Sequence, residues 1–393
     1  MKKTAYALAT AAAAAAVQTF ADPFGAPPDA KHAWAVHDDN RPGVVKITAE
    51  EGMAPSDAIV LFDGTASSIE KNWCDGNGKP TKWTVDDNGD LISVRGAGFI
   101  CTKRKFADCQ LHVEWAAPAE VRGTGQGRGN SGVFLPGEFE IQVLDSYETD
   151  PSKTPNPNPN YSDGQAGAAY GQNPPLVNPC RAPGKFNTFD IVFHSPVADK
   201  TGKILSPATA TVFFNGVLVQ DVWRFDGPTV WRNRASYPEK PGLFPSGPIM
   251  LQDHGNPVHY RNIWIRELAP QGSNAVHGDY YAKEEAVMEQ RAKTAAELDE
   301  RFESEWGKTR SGRKAVEAWR IVSYAPSPER QARCAAADAA LLTDLDTVNS
   351  RDEVYKICGT SYGDLNGWYS KLDKLGIFGA AGNRVLDKLR SLK

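Results

Sequence analysis

The most regular alternation of polar and apolar residues in this chain runs from residue 138 to residue 147. Successive side chains of a β-strand point to opposite faces of the sheet. The alternation therefore predicts a strand that buries three apolar residues, Phe139, Ile141 and Val143. Three polar residues are expected to share the opposite face, Glu138, Glu140 and Gln142.

Two further stretches have the same pattern and would extend this polar face. Residues 249–254 bury Ile249 and Leu251 and turn Gln252 and His254 outward together. Residues 111–115 place two polar side chains on one face, His112 and Glu114. If the three strands share one sheet, their polar residues form a wall of carboxylates, amides and imidazoles. We expect the functional site at that wall.

Residues 58–270 have the pattern of a mainly β domain. Short strand-like stretches follow one another, separated by Gly, Pro, Asn and Asp, without an amphipathic helix. Asn215-Gly216 is the clearest hairpin turn, because a type I′ turn requires positive φ at both central residues. Many strands without intervening helices predict two antiparallel sheets packed face to face as a sandwich.

The periodicity changes after Pro270, where apolar residues recur at helical spacing. Ser327-Pro328 is typical of an N-cap followed by a first-turn proline, and Gly359 is typical of a helix end. We expect four or five helices over residues 279–393, a C-terminal all-helical segment. It carries no chemical motif, so we expect it to serve packing, protein contacts or oligomerisation.

The start of the chain predicts export. Lys2 and Lys3 precede an apolar, Ala-rich stretch, and residues 19–21 place small residues where a signal peptidase cleaves. We therefore expect a signal peptide at residues 1–21, an N-terminal arm over the β domain at residues 22–57, and an exported protein, periplasmic or secreted. No later stretch approaches the ~20 apolar residues of a spanning helix, so we expect no membrane span.

Charge and cysteine content narrow the picture further. The net charge of −4, without clustered Lys and Arg, argues against nucleic acid as a partner. In an exported protein the six cysteines are able to form disulfides. Cys334 and Cys358 fall in successive predicted helices and are expected to pair. The partners of the other four stay open: Cys74, Cys101, Cys109 and Cys180.

One connection is too long for a simple turn. It follows the alternating strand at residues 138–147 and ends at the next predicted strand, which begins at Phe189. Within it lies a stretch in which Pro and Asn alternate. Long loops within a compact domain are usually functional. We expect this loop to form a wall or lid of the site.

Several motifs occur in a fixed order between residues 55 and 268. They include IVLFDG at 59–64, GNSGVF at 129–134, EIQVLDSY at 140–147, DGQAG at 163–167 and LQDHGN at 251–256. Together they resemble the 3-keto-disaccharide hydrolase-like domain family. The resemblance implies a concanavalin A-like jelly-roll sandwich and an exported bacterial enzyme that acts on sugars oxidised at C3. It does not extend to the helical segment.

The implied substrate defines the chemistry that the site must perform. A carbonyl at C3 of a glycoside acidifies the proton on C2, and its removal leaves an enediolate that expels the group at C1 by β-elimination. Water can then add back, so the net reaction is hydrolysis. His254 is the candidate base, because its unperturbed pKa lies nearest neutrality. Glu140 or Glu114 would serve as the acid or as a metal ligand.

Other polar residues near these motifs are candidates for holding the sugar hydroxyls or the developing oxyanion. They are Glu114, Asn130, Gln142, Gln252, Lys103 and Arg128. One divalent cation, bound by Glu140 and His254, would polarise the substrate oxygens. The alternative is that the amide and imidazole side chains on this face only hydrogen-bond to one another.

Two other functions remain open. The first is an ordinary glycosidase: Glu138 and Glu140 would be ~6.8 Å apart along a strand, and inverting enzymes hold their carboxyls ~6.5–9.5 Å apart. Neighbours on one strand rarely lie on opposite sides of the glycosidic bond, however.

The second alternative is a non-catalytic carbohydrate-binding or cell-surface module, because Trp and polar side chains on a sheet face serve binding equally well. Turnover of a 3-keto-glycoside separates these functions.

Overall fold

The structure is a computed structural model, which describes residues 25–136, 138–147, 161–242, 246–268, 284–377 and 380–393. These residues form two compact units: a β unit within residues 44–271, and a helical unit that joins residues 25–43 to the C-terminal helices. The predicted signal peptide, residues 1–21, lies outside the described residues. In the described part of the chain, no helix has the length and apolarity needed to cross a membrane.

The described residues of the β unit contain one short helix, α1 (Ala66–Asn72), and a series of strands. The strands are β1 (Ile59–Phe62), β2 (Trp73–Asp75), β3 (Thr84–Val85), β4 (Leu91–Ile92), β5 (Ile100–Thr102), β6 (Cys109–Ala116), β7 (Ser131–Leu135), β8 (Phe139–Val143), β9 (Asn187–His194), β10 (Val197–Ala198), β11 (Ile204–Ser206), β12 (Thr209–Phe214), β13 (Val217–Arg224), β14 (Met250–Leu251) and β15 (His259–Glu267).

These strands form antiparallel sheets, which confirms the predicted mainly β, antiparallel class. The largest has the order β13-β12-β9-β6-β15-β4-β3, and β1 also pairs with β15. A second sheet has the order β2-β5-β14-β7-β8, and β10 and β11 form a small separate pair. The described residues therefore contain three sheets, where the sequence pattern had predicted two.

The two larger sheets contribute to one hydrophobic core. The predicted inward residues of β8 are all buried there: Phe139, Ile141 and Val143. Phe139 from β8 meets Phe193 from β9, with ring centroids 5.6 Å apart. Burying a side chain of this size contributes ~1.5–3 kcal/mol. This packing fixes β8 so that its alternate residues face away from the core.

Other local predictions for the β unit had mixed outcomes. The hairpin turn is confirmed, since Asn215 and Gly216 have φ of 51° and 78° between β12 and β13. Helix α1 was not predicted; Thr65 caps it by accepting a hydrogen bond from the Ser68 N–H. The expectation that residues 111–115 join the other two strands is wrong, because β6 lies in the eight-stranded sheet while β8 and β14 lie in the five-stranded sheet.

The helical unit contains six described helices where four or five were predicted. They are α2 (Glu284–Glu305), α3 (Ser311–Tyr324), α4 (Pro328–Leu345), α5 (Arg351–Cys358), α6 (Tyr362–Lys374) and α7 (Ala380–Ser391). Ser327 caps α4 with Pro328 in its first turn, as predicted. Gly359 ends α5 with φ of 76°, also as predicted, because glycine adopts this left-handed conformation without steric cost.

Residues 25–43 belong to the helical unit, which corrects the expectation that the whole arm lies over the β domain. Trp34 is buried in the helical core. Asp38 is buried beside Arg320 of α3 and pairs with its guanidinium, which a buried cation requires. The later part of the arm does contact the β unit, since Asp57 accepts a hydrogen bond of 2.7 Å from Arg266 Nη2.

The expected disulfide between Cys334 and Cys358 is not formed, and all six cysteines are free thiols. The two thiols have different surroundings, which accounts for the error. Cys334 on α4 lies near Asp338, whereas Cys358 at the end of α5 lies near Ser311 and burial raises its pKa to about 11. Location in successive helices does not by itself bring two side chains together.

Candidate active site

The face of the five-stranded sheet that points away from the core forms the floor of a cleft of about 1170 Å³. Five of the residues predicted for the site line it: Asn130, Glu140, Gln142, Gln252 and His254. They come from β8, from the residue before β7 and from the residues after β14. Segments more than a hundred residues apart in the chain therefore meet here, because β7 lies between β8 and β14 in the sheet.

The strand register explains how Glu140 is positioned. Gly132 of β7 pairs with Gln142 of β8, and on its other side its carbonyl accepts a hydrogen bond from the Gln252 N–H. Gln142, Gly132 and Gln252 therefore form one row across the sheet. Gly132 has no side chain, and the Glu140 carboxyl from the neighbouring position on β8 lies over it. The carboxyl thus occupies the space that a side chain at position 132 would fill.

The carboxyl group of Glu140 is isolated electrostatically. The residue is 3% exposed, and no described residue hydrogen-bonds to its carboxyl or forms an ion pair with it. Burial raises its pKa to about 8, because loss of water disfavours the charged form. At neutral pH this group therefore holds a proton, unless a cation replaces it. A buried acid with a pKa near the working pH suits proton transfer.

The amides around Glu140 form an ordered network. Gln142 Nε2 donates to Gln126 Oε1 and to Asn130 Oδ1, at 3.1 Å each. Asn130 Nδ2 in turn donates to the carbonyl oxygen of Gln126 at 2.6 Å. Gln252 differs, because its Oε1 is buried without a hydrogen-bond partner among the described residues. Buried polar atoms are normally paired, so this oxygen is open to a ligand.

His254 lies at the mouth of the cleft on the turn that follows β14. Its side chain is exposed, and no described residue hydrogen-bonds to the ring. The turn itself is fixed, since Asp253 Oδ1 accepts a hydrogen bond of 2.9 Å from the Gly255 N–H. Both nitrogens of the imidazole are therefore available to a ligand in the cleft.

Two loops form the walls of the cleft. The long connection after β8 contributes Tyr161, Asp163 and Tyr170, and the two tyrosine hydroxyls lie 3.4 Å apart. This agrees with the expectation that the loop forms a wall of the site, although residues 148–160 lie outside the described residues. The wall from residues 229–234 was not predicted.

Trp231 is the most conspicuous side chain of that second wall. It is 68% exposed, and the guanidinium of Arg232 lies 4.4 Å from the centre of its ring. Arg232 has φ of 60°, a conformation that costs non-glycine residues free energy and occurs often at functional sites. The available sequence signal was a Trp followed by Arg and Asn in the stretch TVWRNR at 229–234, which has no strand or helix periodicity.

Two residues predicted to bind substrate, Lys103 and Glu114, do not line the cleft. Lys103 Nζ donates to the backbone carbonyl of Glu70 in α1. Glu114 lies on β6 in the other large sheet and accepts hydrogen bonds from Arg261 and Asn262, at 2.7 and 2.9 Å. Alternation identifies the face of a strand on which a side chain lies, but it does not identify the sheet.

Arg128 lies beside the cleft instead of in it. It is 4% exposed, and its Nε donates to Asp145 Oδ2 at 2.6 Å. The other carboxylate oxygen of Asp145 accepts a hydrogen bond from the Tyr147 N–H. Arg128 therefore holds the loop before β7 against the end of β8 and is not available to bind sugar hydroxyls directly.

No further His, Cys, Asp or Glu side chain among the described residues joins the predicted metal ligands, Glu140 and His254. In the described part of the chain, the one group of three His, Cys, Asp or Glu side chains with ligand spacing is Asp86, Asp90 and His259, whose atoms lie within 4.8 Å of one another. None of these residues lines the cleft. The cleft does offer two oxygen donors without described partners, the Glu140 carboxyl and Gln252 Oε1, and oxygen donors suit a hard divalent cation.

Comparisons with known proteins agree with the earlier resemblance. A family model described as the 3-keto-α-glucoside-1,2-lyase-like domain matches residues 57–266. The chain is similar to a solved structure of a candidate glycosyl hydrolase from Parabacteroides distasonis ATCC 8503, with 41% identity and a TM-score of 0.51, over 58% of this chain and 92% of that chain. A second candidate glycosyl hydrolase from that organism is 18% identical, with a TM-score of 0.38, over 54% of this chain and 94% of its own. Among curated proteins the search found no match.

Proposed function

We infer the function from the family, because the chain belongs to the 3-keto-α-glucoside-1,2-lyase-like domains and carries that domain over residues 57–266. We propose that it is a carbohydrate-active enzyme that cleaves glycosides oxidised at C3. The observation that carries this proposal is the buried carboxyl of Glu140, which has no partner among the described residues, in the same cleft as the exposed imidazole of His254. The two groups supply an acid and a base to one bound sugar.

In the proposed reaction, the imidazole of His254 removes the proton from C2. The electrons of the C2–H bond form the enediolate with the C3 carbonyl. The enediolate then collapses: the C3 carbonyl is restored, a double bond forms between C1 and C2, and the C1–O bond breaks. The protonated carboxyl of Glu140 gives its proton to the leaving oxygen. Addition of water to the resulting glycal restores the saturated ring, so the net reaction is hydrolysis. Acid–base assistance of this kind contributes about 10²–10⁴-fold each.

The other residues of the cleft bind and orient the sugar. The network of Gln126, Asn130 and Gln142 presents amides in fixed positions, which avoids reorganisation when charge develops. Gln252 Oε1 is buried without a described partner and accepts a hydrogen bond from a sugar hydroxyl. Trp231 offers an apolar ring face on the opposite wall. These amides and the aromatic ring suit a hydroxyl-rich sugar ring.

A divalent cation is the second possibility for Glu140. A cation would supply Lewis-acid polarisation of the substrate oxygens, and Glu140, Gln252 and His254 would hold it. A bound cation would keep Glu140 ionised at neutral pH. Treatment with a chelator therefore separates the two proposals: activity that survives chelation supports the protonated acid, and activity restored only by added metal supports the cation.

We further propose an exported, periplasmic or secreted enzyme whose two larger sheets form a jelly-roll sandwich. A C3-oxidised substrate implies that another protein, an oxidoreductase, produces it. Export is tested by measuring the mass of the protein recovered from its native host, because removal of the predicted signal peptide shortens the chain by 21 residues.

The deciding experiment is turnover of 3-keto-trehalose in deuterated water, followed by NMR of the product. We expect cleavage with deuterium at C2, because the proton removed there exchanges with solvent. His254→Ala and Glu140→Gln should each lose at least ~10²-fold in activity. His32→Ala, an exposed histidine of the helical unit, is the matched control and should retain full activity.

Other outcomes would support the other functions. Cleavage of an unoxidised glucoside that requires both Glu140 and Asp163, the two carboxylates of the cleft, would indicate an ordinary glycosidase. Binding of sugars without turnover of either substrate would indicate a carbohydrate-binding module. Full activity of His254→Ala on 3-keto-trehalose would remove the assigned base.

A further inference from the structure

A second cavity adjoins the cleft on the far side of His254. Its volume is about 550 Å³, and His254 lines both spaces. The glycine-rich loop before β7 separates them: Thr124, Gly125 and Gln126 face the cleft, whereas residues 127–129 face the second cavity. The proposed catalytic base therefore lies at the junction of two binding spaces.

The dividing loop has a defined conformation. A Cβ on Gly123 would stand 2.6 Å from the carbonyl oxygen of Gly127, so the loop folds back on itself more closely than another residue would allow. The Gly129 N–H donates to Asn256 Oδ1 at 2.9 Å, which ties the loop to the turn that carries His254. The two spaces are thus built side by side.

The two spaces differ in chemistry. The cleft is lined by amides, tyrosine hydroxyls and Trp231 together with two arginines and two carboxyl groups, Arg232, Arg234, Glu140 and Asp163. The charged residues of the second cavity are three arginines and two carboxylates, with a net charge of +1: Arg95, Arg122, Arg128, Glu120 and Asp145. The hydrogen-bonding and aromatic groups of the cleft suit a sugar ring, and the excess of arginine in the second cavity suits an anion.

The pairing of these groups identifies which arginine is available. Arg128 is committed to Asp145 at 2.6 Å, and Arg122 is paired with Glu120 at 2.7 Å. Arg95 forms no ion pair or hydrogen bond with any described residue, and it packs beside Gly255, next to His254. Its planar guanidinium is able to bind a carboxylate through two parallel hydrogen bonds.

We propose that the second cavity is the leaving-group subsite and that it selects aglycones carrying a carboxylate, with Arg95 as the specificity-determining residue. This inference rests on the proposed function. The bond that breaks must lie within reach of His254, with the oxidised sugar on one side and the leaving group on the other. The two cavities that share His254 provide these two positions.

The test compares two substrates of nearly equal size, the 3-carboxyphenyl and 3-carbamoylphenyl 3-keto-α-D-glucosides. Wild-type protein, Arg95→Gln and Lys105→Gln are assayed for kcat/KM. We expect Arg95→Gln to lower kcat/KM about tenfold for the carboxylate, mainly through KM, and less than twofold for the carboxamide. Lys105, an exposed cation that lines neither space, is the matched control and should leave both values unchanged.

The outcomes distinguish failure of the subsite from failure of the reaction. An equal effect of Arg95→Gln on both substrates, or none on either, would overturn the assignment of Arg95. If wild-type protein cleaves 3-keto-trehalose but neither aryl substrate, the assignment of the second cavity as a leaving-group subsite for carboxylates is overturned. If it cleaves none of the three, the proposed reaction fails and binding of 3-hydroxybenzoate decides the subsite. Binding to wild type that Arg95→Gln weakens at least fivefold would support the anion subsite, and binding unchanged by Arg95→Gln, or absent from wild type, would exclude it.

Discussion

Gly132 lies directly beneath the carboxyl group of Glu140: a Cβ on Gly132 would stand 2.3 Å from Glu140 Oε1 and 3.0 Å from Glu140 Cδ. The absence of a side chain on β7 therefore creates the space in which the proposed acid is held. Gly132 does not have a positive φ, so its backbone accepts alanine. The requirement for glycine at this position comes from the neighbouring carboxyl alone.

Gly132→Ala should therefore displace Glu140 without unfolding the sheet. A misplacement of about 1 Å costs on the order of 10²-fold in rate, and we expect a loss of that size in kcat for a 3-keto-glycoside. The measurement is steady-state kinetics together with urea unfolding. Gly76→Ala is the control, because a Cβ there would meet nothing within 4 Å. Unchanged kcat in Gly132→Ala would contradict the assigned role of Glu140.

Glu140 should also make the stability of the protein depend on pH. Its pKa is about 8 in the folded protein, against an ordinary value of 4.5. Between these values the unfolded chain releases the proton while the folded protein retains it. The free energy of unfolding therefore falls as pH rises through this window, by about 1.4 kcal/mol per pH unit at most.

Glu140→Gln removes this titration and should gain stability relative to wild type as pH rises, by up to roughly 3.5 kcal/mol between pH 4.5 and 7.5. Urea unfolding at pH 4.5, 6 and 7.5 measures the difference. The control is Glu120→Gln, where the hydrogen bond from Arg122 lowers the pKa of the carboxyl and no such gain is expected. If the difference in free energy of unfolding between Glu140→Gln and wild type does not change with pH, Glu140 is ionised in the folded protein. Treatment with a chelator would then test for a bound cation.

The parts of the site that could be predicted from the sequence depend on local rules. Alternation placed Glu140 and Gln142 on the face opposite the core, because the period of a strand is 2. The same rule applies equally to His112 and Glu114, and it could not show that β6 belongs to the other sheet. Sheet membership depends on contacts between residues far apart in the chain, which no local pattern encodes.

Other features lacked any periodic signal. Trp231 lies in a loop, where side-chain direction follows from tertiary packing instead of a repeat. Residues 25–43 have no helical or strand pattern, yet Trp34 and Asp38 are buried in the helical unit. Asp38 pairs with the buried guanidinium of Arg320 and Trp34 packs in the hydrophobic core of the helices, and both partners are evident only after the helices have been assembled. The helix caps at Ser327 and Gly359 were predictable because they involve neighbours in sequence.

Trp231→Ala should weaken substrate binding more than chemistry. The exposed ring lines the cleft, and an aromatic platform contacts the sugar equally in the ground and transition states. Loss of uniform binding raises KM and leaves kcat unchanged. We expect KM for 3-keto-trehalose to rise about 3–10-fold, from the ~0.5–1.5 kcal/mol of an aromatic contact.

Steady-state kinetics of Trp231→Ala and Leu176→Ala provide the comparison. Leu176 is 62% exposed and lines no part of the cleft, so its replacement should change neither constant. A fall in kcat at constant KM for Trp231→Ala would show that the ring acts in the transition state and would contradict the platform role.

His112 and Glu114 form a charged pair whose role we expect to be structural. Burial alone would lower the pKa of His112, but the hydrogen bond to Asp190 and the Glu114 carboxylate, 3.7 Å from Nε2, raise it to about 9. Burial alone would raise the pKa of Glu114, but the nearby His112 ring and hydrogen bonds from Asn262 and Arg261 lower it to about 2. The pair is therefore fully charged in the folded protein near neutral pH.

The two shifts have opposite consequences for stability. The contribution of His112 to the free energy of unfolding is complete below its ordinary pKa of 6.5 and is lost as pH rises through about 9. The contribution of Glu114 to the free energy of unfolding is complete above its ordinary pKa of 4.5 and is lost as pH falls toward about 2. Their joint contribution is thus greatest between pH 4.5 and 6.5.

Glu114→Gln should therefore lower the free energy of unfolding by about 1.5–3 kcal/mol at pH 5.5, with a smaller loss at pH 3. Its activity toward a 3-keto-glycoside should remain within twofold of wild type, because β6 lies in the eight-stranded sheet and Glu114 does not line the cleft. Urea unfolding and kcat/KM are measured on the same preparation, with Glu140→Gln as the reverse control. A large loss of activity at unchanged stability would return Glu114 to the catalytic machinery, because a side chain that only holds two strands together cannot affect the rate without affecting the fold.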